Sequence, residues 1–311
     1  MSEEVEYHPS MLRGLWALTN RELKKWFKEP IMLFMAVLQP VIWMGLFGKA
    51  MNLNAMFTTS NLQLDPSKIP ENITISGTTI PRDILIQAVQ QMFSDLGTKV
   101  MHNVFGIADY FSYMSVGMIS MIVMFTTMFS GMSIVWDRRL GFLSKVLSTP
   151  VPRTAIILSK MLNAAIRAMF QATIILALAM LFGLKLSETF TLINLLGVYA
   201  AVFLLSMGLS SLFLALALRS TRHETQMAIV NLINMPLMFA SNIFFPINMM
   251  PRWMQTITRV NPVSYLTDAI RQLTVLRLNV PTLIADFTCL SVFAILLSVI
   301  GAMLSWRYLT K

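Results

Sequence analysis

Cysteine is nearly absent from this 311-residue chain: Cys289 stands alone inside an apolar run, so disulfide staples and CxxC metal or redox sites are excluded. Charge is scarce too, at 13% of residues against 56% hydrophobic, which leaves little polar material to surround a soluble core. The three histidines, His8, His102 and His223, are scattered without metal-ligand spacing, and none sits where it could activate a serine as a hydrolytic nucleophile. No G-x-x-x-x-G-K-[ST] phosphate loop occurs, and Gly48-Lys49 lacks the upstream glycine, so the chain cannot bind and hydrolyse ATP by that chemistry. A cleaved signal is also missing, because the first apolar run is long and follows a charged thirty-residue leader.

What the chain does contain is six long charge-poor stretches: Ile31 to Gly48, Phe111 to Trp136, Ala168 to Leu184, Thr189 to Leu218, Thr225 to Met250 and Phe287 to Trp306. Each approaches or exceeds the roughly 20 apolar residues a helix needs to cross about 30 Å of hydrocarbon. With no water there for the backbone, each must be helical. The fold class expected is an all-α polytopic membrane protein of six transmembrane helices. Spans are expected at 31–50, 111–136, 161–184, 189–218, 225–245 and 283–306, with an interfacial helix over 1–30. Between them lie an extracellular segment over 51–110, a cytoplasmic loop over 137–160 and an extracellular re-entrant segment over 246–280.

The Lys/Arg distribution orients the spans. Fourteen basic residues fall on the side of the termini and of the 137–160 loop, and nine fall in the longer segments opposite; Arg167 lies inside the third stretch. Both termini are therefore expected in the cytoplasm, with the chain in the cell membrane. The net charge of +9 then records topology and contact with anionic lipid. No aromatic-interleaved basic patch points to nucleic acid. In the leader, Leu12, Leu15, Trp16, Thr19, Leu23, Trp26 and Phe27 form a helical stripe with Arg13, Arg21, Lys24, Lys25 and Lys28 off it, the pattern of a helix lying in the membrane interface or braced on a protein partner.

Outside the spans, Met51 to Asp109 is the largest segment; Pro66, Pro70, Gly77 and Pro81 predict irregular or short-strand structure. From Arg82 to Met101 an apolar stripe predicts one amphipathic helix. Within the spans, polar residues are costly unless they face protein or water. Asn231, Asn234, Ser241 and Asn242 fall within about 100° of arc if the fifth span is one helix. Together with Thr127 and Ser130 of the second span they are candidate pathway residues, with interhelical packing as the competing role. After the fifth span, Pro246 and Pro251 break the chain, and Asn261-Pro262 restarts it toward Asp268 and Arg271, a pattern that suits partial re-entry into the outer leaflet.

These residues resemble a family. A span ending in Phe245-Pro246, then Pro251-x-Trp253, then Asn261-Pro262 with Tyr265 and Arg271, is similar to the C-terminal signature of ABC-2 type permeases. Asp137-Arg138 followed by Gly141-Phe142-Leu143, with Thr149-Pro150 and Arg153, resembles the first cytoplasmic loop of that family's daunorubicin-exporter-like branch, and departs from it at Arg139, where relatives often carry an acidic residue. The likeness covers essentially the whole chain.

The resemblance implies a permease subunit of an ABC exporter. It would work as a homodimer with two copies of a cytoplasmic ATP-binding subunit, binding no cofactor itself and leaving ATP and Mg to that partner. Asp137, Arg138, Gly141, Phe142, Leu143, Val146 and Leu147 would then carry the coupling helix, with Phe142, Leu143, Val146 and Leu147 as an apolar knob. The path would run between the copies, lined mainly by the second and fifth spans, and would suit an amphipathic drug, a lipid or a lipid-linked glycan. An ion-coupled secondary transporter or channel is the alternative. It would call for charged residues at mid-membrane, which the span centres lack.

Overall fold

The computed structural model describes residues 11–50, 72–75, 78–107, 109–219 and 223–309. The chain begins with α1 (Met11–Phe27), which divides the expected stripe: Thr19 and Trp26 turn inward, together with Glu22, while Leu12, Trp16 and Phe27 stay exposed. Pro30 opens α2 (Pro30–Trp43), a position where the missing N–H costs nothing. Pro40 inside α2 removes one rung of the hydrogen-bond ladder, and the backbone continues as a wider π-helical stretch, Met44–Ala50. The Pro66 and Pro70 region lies outside the described residues. Beyond it, β1 (Asn72–Ile75) and β2 (Thr78–Pro81) form an antiparallel hairpin that leads into α3 (Arg82–Phe105), the expected amphipathic helix.

At the centre stands α4 (Tyr110–Arg139), buried along nearly its whole length. Asp109 caps its start by accepting hydrogen bonds from the Ser112 N–H at 2.7 Å and the Ser112 hydroxyl at 2.8 Å. Around α4 pack the π stretch, α6 (Arg153–Leu181), α7 (Leu192–Arg219) and α8 (His223–Phe239). The short α5 (Phe142–Leu147) joins α4 to α6. Two further short helices, α9 (Arg252–Val260) and α10 (Pro262–Thr274), precede α11 (Val280–Leu309). That last helix packs on α7 at the edge of the bundle, with Val292, Ile295, Val299 and Met303 facing outward. Such an outer face suits hydrocarbon rather than water.

Among the described residues four helices, α4, α6, α7 and α11, are long and apolar enough to cross a membrane, which makes the chain a multi-pass membrane protein. The expected first span is shorter and changes to π geometry midway. The expected fifth span differs more, because α8 is helical only to Phe239; Ala240 to Phe245 turns out of the helix. Its early end has a cause on a neighbouring helix. The chain must clear α4 at Gly117, where an added Cβ would stand about 3.1 Å from the Ile243 carbonyl carbon. A helix carrying side chains on both sides of that approach could not come so near.

Candidate functional site

Two polar clusters, one at each end of α4, hold most of the residues singled out by sequence. At the loop end, Gly141 (φ 69°) supplies the left-handed turn that lets α5 fold back beneath the bundle. Leu143 and Val146 point inward, into a core with Ile134, Val135, Ile156, Ile157, Leu214 and Leu218. Phe142 and Leu147 are half-buried against the same core. The apolar knob is therefore split. Two of its members seat the helix, and the face left open is formed by Leu140, Ser144, Lys145 and Ser148, with Leu140 73% exposed.

Behind α5 sits a charge-balanced network joining three elements. Lys160 of α6 donates to Glu22 Oε1 of α1 at 2.9 Å, to Ser133 Oγ of α4 at 3.1 Å and to Asp137 Oδ2 of α4. Arg21 of α1 pairs with Glu22 at 2.7 Å, lies 3.8 Å from Asp137 Oδ1 and stacks 3.3 Å above the Phe142 ring. Lys160, Glu22 and Asp137 are all buried, so each carboxylate depends on these cations for compensation. Asp137 thus turns its side chain into the bundle, onto Lys160. Arg138 donates to the Leu218 carbonyl at 3.1 Å and closes the end of α7. Sequence reasoning counted Lys160 and Arg21 only as inward-side charges and passed over Glu22. A Glu inside a basic amphipathic helix, and a Lys at a span entrance, were the available signals.

At the opposite end the unwound turn after α8 is stapled to α4 and α10. Arg271, fully enclosed, donates to the carbonyls of Asn242 at 2.8 Å, Ile243 at 2.9 Å and Tyr113 at 3.2 Å, and its guanidinium lies 3.4 Å over the Tyr113 ring. Tyr113 and Tyr110 hydroxyls donate to the carbonyls of Asn242 at 3.1 Å and Phe244 at 3.2 Å. Asn261 caps α10 through the Val263 N–H at 3.0 Å while its amide donates to Leu237 and Ala240 carbonyls, each at 2.7 Å. These bonds satisfy the main-chain groups that the break in α8 releases. Pro262 is buried at the first turn of α10, whereas Pro246 and Pro251 open the short turns Ile247–Met249 and α9.

The candidate pathway residues do not share one face. Asn231 is exposed; Asn234 is buried, and its Oδ1 accepts no hydrogen bond among the described residues. Ser241 and Asn242 lie past the end of α8, so the single-helix arc does not hold; Ser241 bonds the Met238 carbonyl at 2.6 Å and Asn242 donates to Asp268 at 2.5 Å. Thr127 and Ser130 are enclosed within the chain, bonding the carbonyls of Met124 at 2.9 Å and Lys160 at 3.2 Å. Both are covered by the chain's own helices.

Comparisons with known proteins agree on one family. A model of the family described as ABC-2 type transporter matches residues 13–275. The chain is 26% identical to a protein of Porphyra purpurea named as transport permease ycf38, over 85% of this chain and 75% of that protein. It is 29% identical to a protein of Escherichia coli K12 named as multidrug ABC transporter permease YbhR, over 50% of this chain and 42% of that one, and 25% identical to the daunorubicin resistance ABC transporter permease protein DrrB1 of Streptomyces coeruleorubidus, over 53% and 58%. The buried α4, the loop that α5 closes and the stapled turn before α10 all lie within the matched region, and the chain belongs to the ABC-2 type transporter family, as a membrane subunit of an ABC transporter without the ATPase motif.

Proposed function

We propose that the chain is the permease subunit of an ABC exporter that pairs with a second copy of itself and with two cytoplasmic ATP-binding subunits, through which ATP and Mg drive the export of an amphipathic drug, a lipid or a lipid-linked glycan. In this reading α2 and α8 complete six spans, and the excess of Lys and Arg on the side of the α5 loop supports cytoplasmic termini. The observation that carries the reading is the seating of α5. Its inward side is locked by Leu143 and Val146, and by the Lys160 network behind, while Leu140, Ser144, Lys145 and Ser148 stay open to a partner. A helix held that firmly moves with α4 and α6 as a body, so a push on its open face reaches the spans. The names of the multidrug and daunorubicin permeases support an amphiphile as cargo.

The pathway role falls to Asn231 and Asn234 on α8, beside the exposed Leu232, Met235 and Phe239 that a second copy would cover. The test is a mild-detergent purification from the native membrane with quantification of whatever co-purifies. A Walker-type ATPase in near-equal amount is the expected result. Its absence from a folded preparation would turn the reading toward an ion-coupled transporter or channel.

A further inference from the structure

The lysine face of α1 enters the transport reading only through Arg21. A cavity of about 680 Å³ opens there, lined by Arg21, Lys24, Lys25 and Lys28 with Asn20 and a single carboxylate, Glu29. Among the described residues no carboxylate lies within 4 Å of Lys24, Lys25 or Lys28, so the cavity keeps a strong positive charge. Beside it on the same helix, Leu12, Trp16 and Phe27 are 76%, 61% and 58% exposed. Exposed Leu, Trp and Phe next to lysines is the arrangement of a helix lying at the boundary of headgroups and acyl chains, with lysine stems along the apolar layer and ammonium groups at phosphate level.

We propose that this cavity binds the phosphate headgroup of an anionic phospholipid of the inner leaflet, and that its occupancy is felt at α5 through Arg21. The apolar strip distinguishes a lipid from a free anion, since the same cations would hold either headgroup or inorganic phosphate. Arg21 is the link. It lines the cavity, bonds Glu22 at 2.7 Å and covers the Phe142 ring at 3.3 Å, so a phosphate that draws the guanidinium outward loosens both contacts. Glu22 then leans further on Lys160, and the seat of α5 shifts with it. The proposal rests on the membrane orientation given above, not on the identity of the motor.

The test uses the full chain with its co-purifying partners in nanodiscs of phosphatidylcholine, alone or with phosphatidylglycerol. Lipid retained after transfer to detergent is read by native mass spectrometry. Lys24→Gln/Lys25→Gln/Lys28→Gln should retain about a hundredfold less phosphatidylglycerol, given about 1 kcal/mol for each of the three lysines at an anionic surface. Lys185→Gln/Arg252→Gln/Arg259→Gln, which removes as many charges from the opposite end, should retain it as the parent does. Hydrogen exchange over 142–147 should change with phosphatidylglycerol in the parent and not in the α1 variant. Equal retention by the α1 variant, or displacement of the lipid by inorganic phosphate alone, overturns the site. Retention without any change over 142–147 overturns the link to α5. Retention is read without any ATPase, so loss of the motor would sink the transporter reading and leave this one standing.

Discussion

The two ends of α4 solve the same problem in different ways. At the Arg271 end a cation is spent on main-chain carbonyls of a turn that cannot satisfy them itself; at the loop end cations and carboxylates from three helices satisfy one another. Carbonyls in a fixed turn admit one arrangement. Ion pairs among Lys160, Glu22, Asp137 and Arg21 admit several, since each carboxylate has two candidate cations in reach. The first design suits an anchor. The second suits a joint whose parts slide and re-pair, at the end where α5 would receive a push.

The comparison breaks most severely at Arg271. Arg271→Leu takes the charged donor from three buried carbonyls, of which Asn242 keeps only the Tyr113 hydroxyl, and should cost on the order of 4–5 kcal/mol, seen as loss of monodisperse protein and a lower Tm in detergent. Arg271→Lys should not rescue it, because an ammonium lacks the fork that spans the Asn242, Ile243 and Tyr113 carbonyls. A Lys variant as stable as the parent would show that the charge matters and the geometry does not.

At the joint the expectation changes in kind. Lys160→Met leaves Arg21 as one cation for two buried carboxylates, Glu22 and Asp137, and should cost about 3–5 kcal/mol. Adding Glu22→Gln and Asp137→Asn should recover most of that loss, since a neutral network no longer needs the cation. No corresponding rescue exists at Arg271, whose partners are main chain. If the triple variant stays as unstable as Lys160→Met, the network is an anchor too and the contrast between the two ends disappears.

How much of this was legible in the sequence follows from range. The helices α1 and α3 and the restart at Asn261-Pro262 rest on local periodicity and capping, and the sequence carries both in the open. The end of α8 at Phe239 was not legible, because its cause is a partner: the approach of Ile243 to Gly117, distant in sequence. For the same reason Leu143 and Val146 read as an exposed knob. On a six-residue helix the periodicity marks an apolar side and cannot say whether a core or a partner covers it. The Lys160 network was hidden most fully, since no motif links residues 22, 137 and 160 before the helices are packed.

A smaller effect separates the two sides of α5. Leu143→Asp drives a carboxylate into the core formed with Ile157 and Leu218, and should lower stability by about 3 kcal/mol, measured as a fall in Tm, before it says anything about docking. Leu140→Asp and Lys145→Glu lie on the open side, where substitutions stay within about 0.5 kcal/mol, so the spans should fold and insert unchanged. If α5 is where the ATP-binding subunit docks, these two changes should nonetheless reduce the subunit recovered in the pull-down severalfold, because a reversed charge and a buried carboxylate meet the partner directly. Full recovery from a stable Leu140→Asp/Lys145→Glu variant would take the open face of α5 out of the coupling, and would leave the joint behind it a device for stability alone.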